Sequence, residues 1–588
     1  MKLKPVVLAL AASSLGLVHS QANTTLTLGD ISIASANSDS PDGFTFVLLK
    51  DVDASTVIKF TDGSFKSAAS ATATNNFRGS EDFVVWTSGS ALSAGSVIRM
   101  VNSSGSVTTV TGGGTATGAL NGISSSGDQI FAYQGTGPGN NFSGNGATAT
   151  FSGTILYGVN LANAGFITTG SDGTNESYRP SQLDAQDASI ALGASTDYAY
   201  TAVRTGLTTG IYRAALADNT NWTAYSTNQT QSITDFSITS SASLVWDLNG
   251  KGTAGTGGAG TWDTTTPGRF SNSVGDTYFH WVNSSTGNDH TAVFGGTAGA
   301  VSLASGGVIA SGLTFDVNGY TIQSNTLTLA GATPTISVTT AGHSATISSI
   351  LAGSTGLTKS GAGTLNITGT NSTNIGATSV TAGTLNVGVS GTGTLTSAVT
   401  VSNAGSTLGG SGTITGNVTI NNGAIIAPGN SPGVMTVAGT SALDTGSIFS
   451  WELNSDVDHN GVVIDGTRGT NYDGLTSTNL NVANNAIFRV VLTGSASTDL
   501  SSGFWNQTQI WNDIFNVSGT TTNAAVGKLF NKFEVYNGTT DVTLATASQG
   551  SFSFNNSTLT WTAVPEPTSA LAGLLITAGL LRRRRPVA

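Results

Sequence analysis

A short phrase recurring along the middle of the chain constrains the fold more than any other feature: Gly-Thr, then Leu or Ile, then alternating polar and apolar residues. It starts at Gly363 (GTLNITG), Gly383 (GTLNVG), Gly393 (GTLTSAV) and Gly412 (GTITGNVTI), at spacings of 20, 10 and 19 residues. Strict alternation sends successive side chains to opposite faces of a strand. Leu365 and Ile367, Leu385 and Val387, and Val418 and Ile420 therefore share one face, with Asn366, Asn386 and Thr419 on the other. No single phrase is long enough to bury its apolar face, so neighbouring copies must stack to make a core. The expectation is a solenoid of short strands wound in coils.

Composition agrees with strands throughout. Only 9% of the 588 residues are charged, and Ser, Thr and Asn cover the surface instead, which suits exposed strands better than helices. The chain has no cysteine, so disulfides and thiolate zinc sites are excluded and ladder hydrogen bonds must hold the fold. A formal charge of −11 argues against a nucleic-acid partner.

In chain order, residues 1–22 open with Lys2 and Lys4, continue through an apolar run to Val18 and end in Ser20-Gln21-Ala22. That is the pattern of a secretory signal peptide cut after Ala22. Residues 23–240 carry short β-branched or aromatic segments bounded by turn residues, such as Gly43–Leu49, Thr56–Phe60, Phe83–Trp86 and Val97–Met100. They predict a β-sandwich-like N-terminal domain. This block resembles the lamin-tail-like modules at the front of some bacterial secreted proteins.

Residues 241–440 hold the repeats. The segments WDLNG from Trp246, GTWD from Gly260, AVFGG from Ala292, GLTFDVNGY from Gly312, LTKSGAGTLNITGTN from Leu357 and TAGTLNVG from Thr381 resemble the autotransporter-associated β-strand repeat family. The resemblance runs from about Trp246 to Gly433 and includes the Ala427–Gly433 turn (APGNSPG). It implies a right-handed parallel β-helix. The family places an aromatic residue before the Gly of Asn371–Gly376, and its absence here predicts one poorly packed rung. A solenoid exposes its apolar interior at its end, and Trp246, Trp262 and Phe294 are candidates to close it. Residues 441–563 lose the period but stay strand-like, which predicts an irregular continuation capped by the aromatic segment Phe504–Phe515. They do not supply the many alternating strands of a translocator barrel.

Residues 564–588 read VPEPTSALAGLLITAGLLRRRRPVA. Pro565-Glu566-Pro567, an apolar run and Arg582, Arg583, Arg584 and Arg585 resemble the PEP-CTERM sorting signal. The run is shorter than the roughly 20 residues of a permanent span, and the arginines would hold its end in the cytoplasm. The resemblance implies a short hydrophobic helix, transient inner-membrane association and processing by an exosortase-type membrane protease near Pro565-Glu566-Pro567. The competing reading is a simple tail anchor.

Few residues suggest chemistry. Asp456, Asp458 and Asn460 form the opening of a calcium loop, D-x-D-x-N-G, but the twelfth position is Thr467 rather than a bidentate Glu. A solvated acidic turn fits the same residues. Asp247 with Asp263, or Asp465 with Asp473, are the available carboxylate pairs for glycoside hydrolysis. The histidines, at 19, 280, 290, 343 and 459, show no tight metal spacing. Between Gly353 and Gly439 Lys359 is the sole basic residue and no acid occurs, which disfavours a catalytic groove there. The sequence therefore predicts an all-β, exported, non-enzymatic protein of the cell surface or extracellular matrix, structural or adhesive, without an obligatory cofactor. Its expected contacts are exopolysaccharide or neighbouring surface proteins. The alternative is a β-helix polysaccharide lyase or hydrolase.

Overall fold

The computed structural model describes residues 23–564 apart from 39–40, 67–74, 79–80, 103–107, 121, 125–126, 137–147, 171–172, 174, 185–186, 194–196, 250–254, 371, 374, 390, 455–465, 495–497, 502 and 524–527. Ala22, the sorting residues Pro565, Glu566, Pro567 and Arg582 to Arg585, the stretch expected to form a hydrophobic helix, and the calcium candidates Asp456, Asp458 and Asn460 all lie outside the described residues. The protein is nearly all β, 49% strand and 4% helix. It divides into two compact units, Met1–Ile238 and Thr239–Ala588.

The first unit contains two six-stranded sheets. One runs Trp222–Tyr225, Asp197–Tyr200, Ile31–Asn37, Gly43–Leu48, Val97–Asn102, Thr108–Thr111, antiparallel throughout. The other runs Ser189–Ala191, Ser152–Asn160, Gln129–Thr136, Val57–Thr61, Phe83–Thr87, Thr115–Ala119. Alternation sends Phe44 and Phe46 of the first sheet against Phe60 and Trp86 of the second, with ring centroids 4.9 to 5.3 Å apart. These rings are the core between the two layers. One short helix, Thr209–Leu216, begins at Thr208, whose hydroxyl accepts from the Ile211 N–H and caps an otherwise unsatisfied donor.

The second unit is built from parallel ladders. One sheet stacks Ser241–Trp246, Asp289–Phe294, Gly312–Phe315, Thr335–Val338, Leu357–Ser360, Thr378–Val380, Val399–Val401, Val418–Ile420 and Val434–Leu443. A second stacks Gly260–Trp262, Ala300–Leu303, Tyr320–Ser324, Ser344–Ile347, Thr364–Ile367, Thr384–Val387, Thr407–Gly410, Ile425–Pro428, Ile448–Leu453, Ile487–Leu492 and Lys532–Asn537. A third side is shorter, with Val308–Ala310, Thr326–Leu329 and Ile350–Ala352, and later Thr394–Leu395 and Thr413–Ile414. Each coil visits the sides in turn, the arrangement of a parallel β-helix.

The repeated phrase serves two of these sides. Gly363 and Gly383 precede strands of the second sheet, one coil apart, whereas Gly393 and Gly412 precede strands of the third side. The 10-residue step is thus a corner within a coil, and the steps of 20 and 19 are coil to coil. Glycine is required because the previous coil lies against the corner: a Cβ on Gly363 would sit 2.6 Å from the Thr340 carbonyl oxygen, and one on Gly412 2.5 Å from that of Gly393. Inside, Leu365, Leu385 and Leu408 stack in register and are buried. Within residues 371–376, Thr373 bridges Ala352, and Ser372 bonds to Thr394 and Thr396 of the next coil.

Aromatic clusters close both ends. Trp246, Trp262, Phe270, Trp281 and Phe294 are fully buried against one another, Trp262 and Trp281 at 4.9 Å, with the antiparallel pair Phe270–Ser271 and Tyr278–Phe279 laid over the first coil. At the other end, Trp505 and Trp511 pack with Phe552 and Trp561 of an antiparallel hairpin, Gly550–Asn555 and Thr558–Ala563. The segment Phe504–Phe515 packs there with residues 550–563, part of the strand-like C-terminal stretch.

Candidate interaction surface

Counting register outward from the buried residues brings a single uncharged column, polar at nine of its eleven positions, onto one side of the β-helix; Gly312 has no side chain and Ala442 only a methyl group. Ser243, Thr291, Gly312, Thr335, Thr358, Ser379, Thr400, Thr419, Ala442, Asn481 and Thr522 are successive partners. Their neighbours Leu244, Ala292, Leu313, Ile336, Val380, Val401, Ile420 and Leu443 point inward and are buried. At about 4.8 Å per strand, the column runs about 50 Å. No member is charged. A hydroxyl both donates and accepts, and a threonine adds a methyl. The column therefore presents a row of uncharged donors and acceptors, interrupted at Gly312 and Ala442.

The adjoining side carries a shorter amide ladder. Asn366 and Asn386 are register partners, and Asn386 Nδ2 donates to Asn366 Oδ1 at 3.0 Å. The next position is Gly409, where a Cβ would stand 2.5 Å from Asn386 Oδ1. Farther along the same column, Ser450, Arg489 and Glu534 follow, and Arg489 pairs with Glu534 at 2.8 Å while its guanidinium lies 4.5 Å over the Tyr536 ring.

The carboxylates singled out from the sequence are occupied with structure. Asp247 is buried and accepts from the Asn249 and Gly255 N–H groups and the Thr256 and Tyr278 hydroxyls, which ties down the start of the helix. Asp263 caps a turn, accepting from Thr265 and Thr266. Burial raises its carboxyl, but those hydrogen bonds outweigh it and leave it below the usual value. Asp473 accepts from the Gly433 and Glu452 N–H groups, each at 2.9 Å, and so fastens the Ala427–Gly433 turn to the next coil. Its burial pushes its carboxyl well above the ordinary range. Asp465 lies outside the described residues.

Of the histidines, His290 is built into the fold. His290 is buried, with Nδ1 2.7 Å from the Val282 carbonyl and its ring beside Trp281, and desolvation lowers its basicity. Among the described residues no group of three His, Cys, Asp or Glu side chains could hold a metal.

The residue that sequence reasoning undervalued is Lys359. It occupies an inward position between Ile336 and Val380 and is fully buried. Its Nζ donates to the carbonyls of Ser360, Gly361 and Ala382 at 2.7, 3.0 and 3.0 Å. The signal was present in the alternation: Leu357 is an inward residue, and Lys359 lies two positions on.

Stacked parallel coils with aromatic ends define a parallel β-helix. Over 146 residues the chain is 46% identical to an adhesin, the BmaC autotransporter of Brucella suis biovar 1 (strain 1330), a stretch covering 24% of this chain and 4% of that relative. The chain thus spans a small part of the relative it matches. No family model matches it.

Proposed function

We propose that this is an exported, non-enzymatic adhesive protein whose β-helix holds an uncharged polysaccharide or a neighbouring surface protein along the Ser243–Thr522 column. The observation that carries the reading is that column: eleven register partners with no charge among them. The adhesin likeness supports it, as does the engagement of Asp247, Asp263 and Asp473 in local hydrogen bonds. Export begins with cleavage after Ala22. Sorting passes through the inner membrane by way of the hydrophobic helix, and an exosortase-type protease cuts near Pro565-Glu566-Pro567 and removes Arg582 to Arg585. The mature protein then stands at the cell surface or in the extracellular matrix.

Co-sedimentation with the producing cell's neutral exopolysaccharide tests the adhesive reading. Thr358→Asp with Thr400→Asp puts two charges in the column and is expected to abolish retention, while added salt leaves the wild type bound. Retention by the double variant equal to wild type would overturn it. For sorting, mass spectrometry of the surface fraction should find a chain beginning at Asn23 and lacking the arginine tail. An intact tail there would contradict processing.

A further inference from the structure

The first unit carries a second surface feature of opposite chemistry. On the outer face of its first sheet, two neighbouring rows run across the strands: Ser35, Thr45, Arg99 and Thr111 in one, Asn37, Gly43, Val101 and Thr109 in the next. Core-facing Ile98 and Met100 alternate with Arg99 and Val101, so the guanidinium is directed away from the aromatic core. The segment Asn228–Gln231 forms a wall beside these rows and leaves a cleft of about 300 Å³. The wall is held in place: Gln229 N–H donates to Asp197 Oδ2 at 2.7 Å, Asn37 Nδ2 donates to Asn228 Oδ1 at 3.2 Å, and Gln231 Nε2 donates to the Gly43 carbonyl at 3.0 Å. That size is at the small end of ligand pockets.

Arg99 stands out in this cleft. No acidic residue lines it, and among the described residues no carboxylate lies within ion-pairing distance of the guanidinium. Its Nε is buried without a hydrogen-bond partner, and its one bond, to the Gln231 carbonyl, is 3.5 Å long. Partly buried cations are ordinarily paired, and a guanidinium presents a planar fork matched to carboxylate oxygens. Around it, amides and threonine hydroxyls supply donors and acceptors for a ligand rich in hydroxyl groups, and no aromatic ring lines the cleft to stack on a flat apolar one.

We infer that this cleft binds a uronic-acid unit of an acidic polysaccharide, with the sugar carboxylate on Arg99 and its hydroxyls on the Asn, Gln and Thr side chains. The site is in the other unit from the charge-free column and does not depend on that reading. Together they would give the protein one surface for neutral chain and one for acidic sugar.

Titration calorimetry on the full chain, with a uronic-acid trisaccharide and its methyl ester, tests the assignment. The acid is expected to bind about tenfold tighter or more than the ester, as a charge-assisted pair requires. Arg99→Gln should erase that difference, Arg99→Lys should restore part of it, and added salt should weaken it. Thr358→Asp with Thr400→Asp, which tests the column, should leave it unchanged. Equal affinity for acid and ester, or an unaltered preference in Arg99→Gln, would overturn the site. So would acetate or an acidic peptide binding as tightly as the trisaccharide. If Arg99→Gln fails to fold, the comparison of acid with ester on the wild type decides the matter alone.

Discussion

Replacing Lys359 with methionine isolates one ammonium group inside the β-helix, since the two side chains fill similar volume. The three carbonyls around Nζ favour the charged form, yet burial dominates and lowers the amine from 10.5 to about 8. The unfolded chain keeps its proton until near 10.5, whereas the folded chain releases it near 8. Between those values the unfolded state binds more protons, so the lysine's contribution to stability rises with pH. At 1.36 kcal/mol per unit the rise amounts to about 3 kcal/mol. Methionine does not titrate, and every other group is common to both proteins. The difference in unfolding free energy, wild type minus Lys359→Met, should therefore climb by about 3 kcal/mol from neutral pH to pH 10.5, read from urea curves by tryptophan fluorescence. Its sign at neutral pH is immaterial, because lost carbonyl partners and relieved desolvation oppose each other there. A difference that stays flat with pH would refute the reasoning: the ammonium would then be as comfortable inside as in water.

Three further outcomes follow from single contacts. Asn366→Ala and Asn386→Ala should each cost about 1 kcal/mol and together fall short of the sum by about 0.5 kcal/mol or more, since they share one hydrogen bond; strict additivity would deny the ladder. Asp473→Ala should orphan the Gly433 and Glu452 N–H groups, cost about 2 to 4 kcal/mol and speed hydrogen exchange over residues 429–433. Thermal melts with calcium and with a chelator should coincide, because the twelfth loop position is Thr467, which has no carboxylate to supply the bidentate ligand; a higher melting point in calcium would argue for the ion on Asp456, Asp458 and Asn460.

The coils were legible from the sequence because alternation and a glycine corner are local properties. Leu365, Asn366 and Ile367 declare their faces within a few residues, and the same phrase recurs one coil on. The long polar column was not legible, since it depends on register between strands separated by corners of unequal length. Thr358 partners Ser379, but Thr419 partners Ala442 and Ser441 partners Leu480 across a far longer excursion. The Arg99 cleft was hidden for a related reason: its rows join strands from Ile31 to Thr111, and its wall arrives from Asn228–Gln231. Asp247 and Asp473, which the sequence offers only as members of carboxylate pairs, hold loops from inside the structure, because burial and partners distant in the chain are not written in local pattern.

Cysteine cross-linking tests the stacked register most directly, because the chain has no cysteine of its own. Thr358 and Ser379 are direct partners, so their Cα atoms should stand about 4.8 Å apart, inside the range of about 4.4 to 6.8 Å that a disulfide spans. Thr358 and Thr400 are two coils apart, about 10 Å, and out of reach. Mild oxidation is expected to link Thr358→Cys with Ser379→Cys nearly completely and to leave Thr358→Cys with Thr400→Cys as thiols. Failure of the adjacent pair, or equal linking of both pairs, would contradict the column on which the account stands.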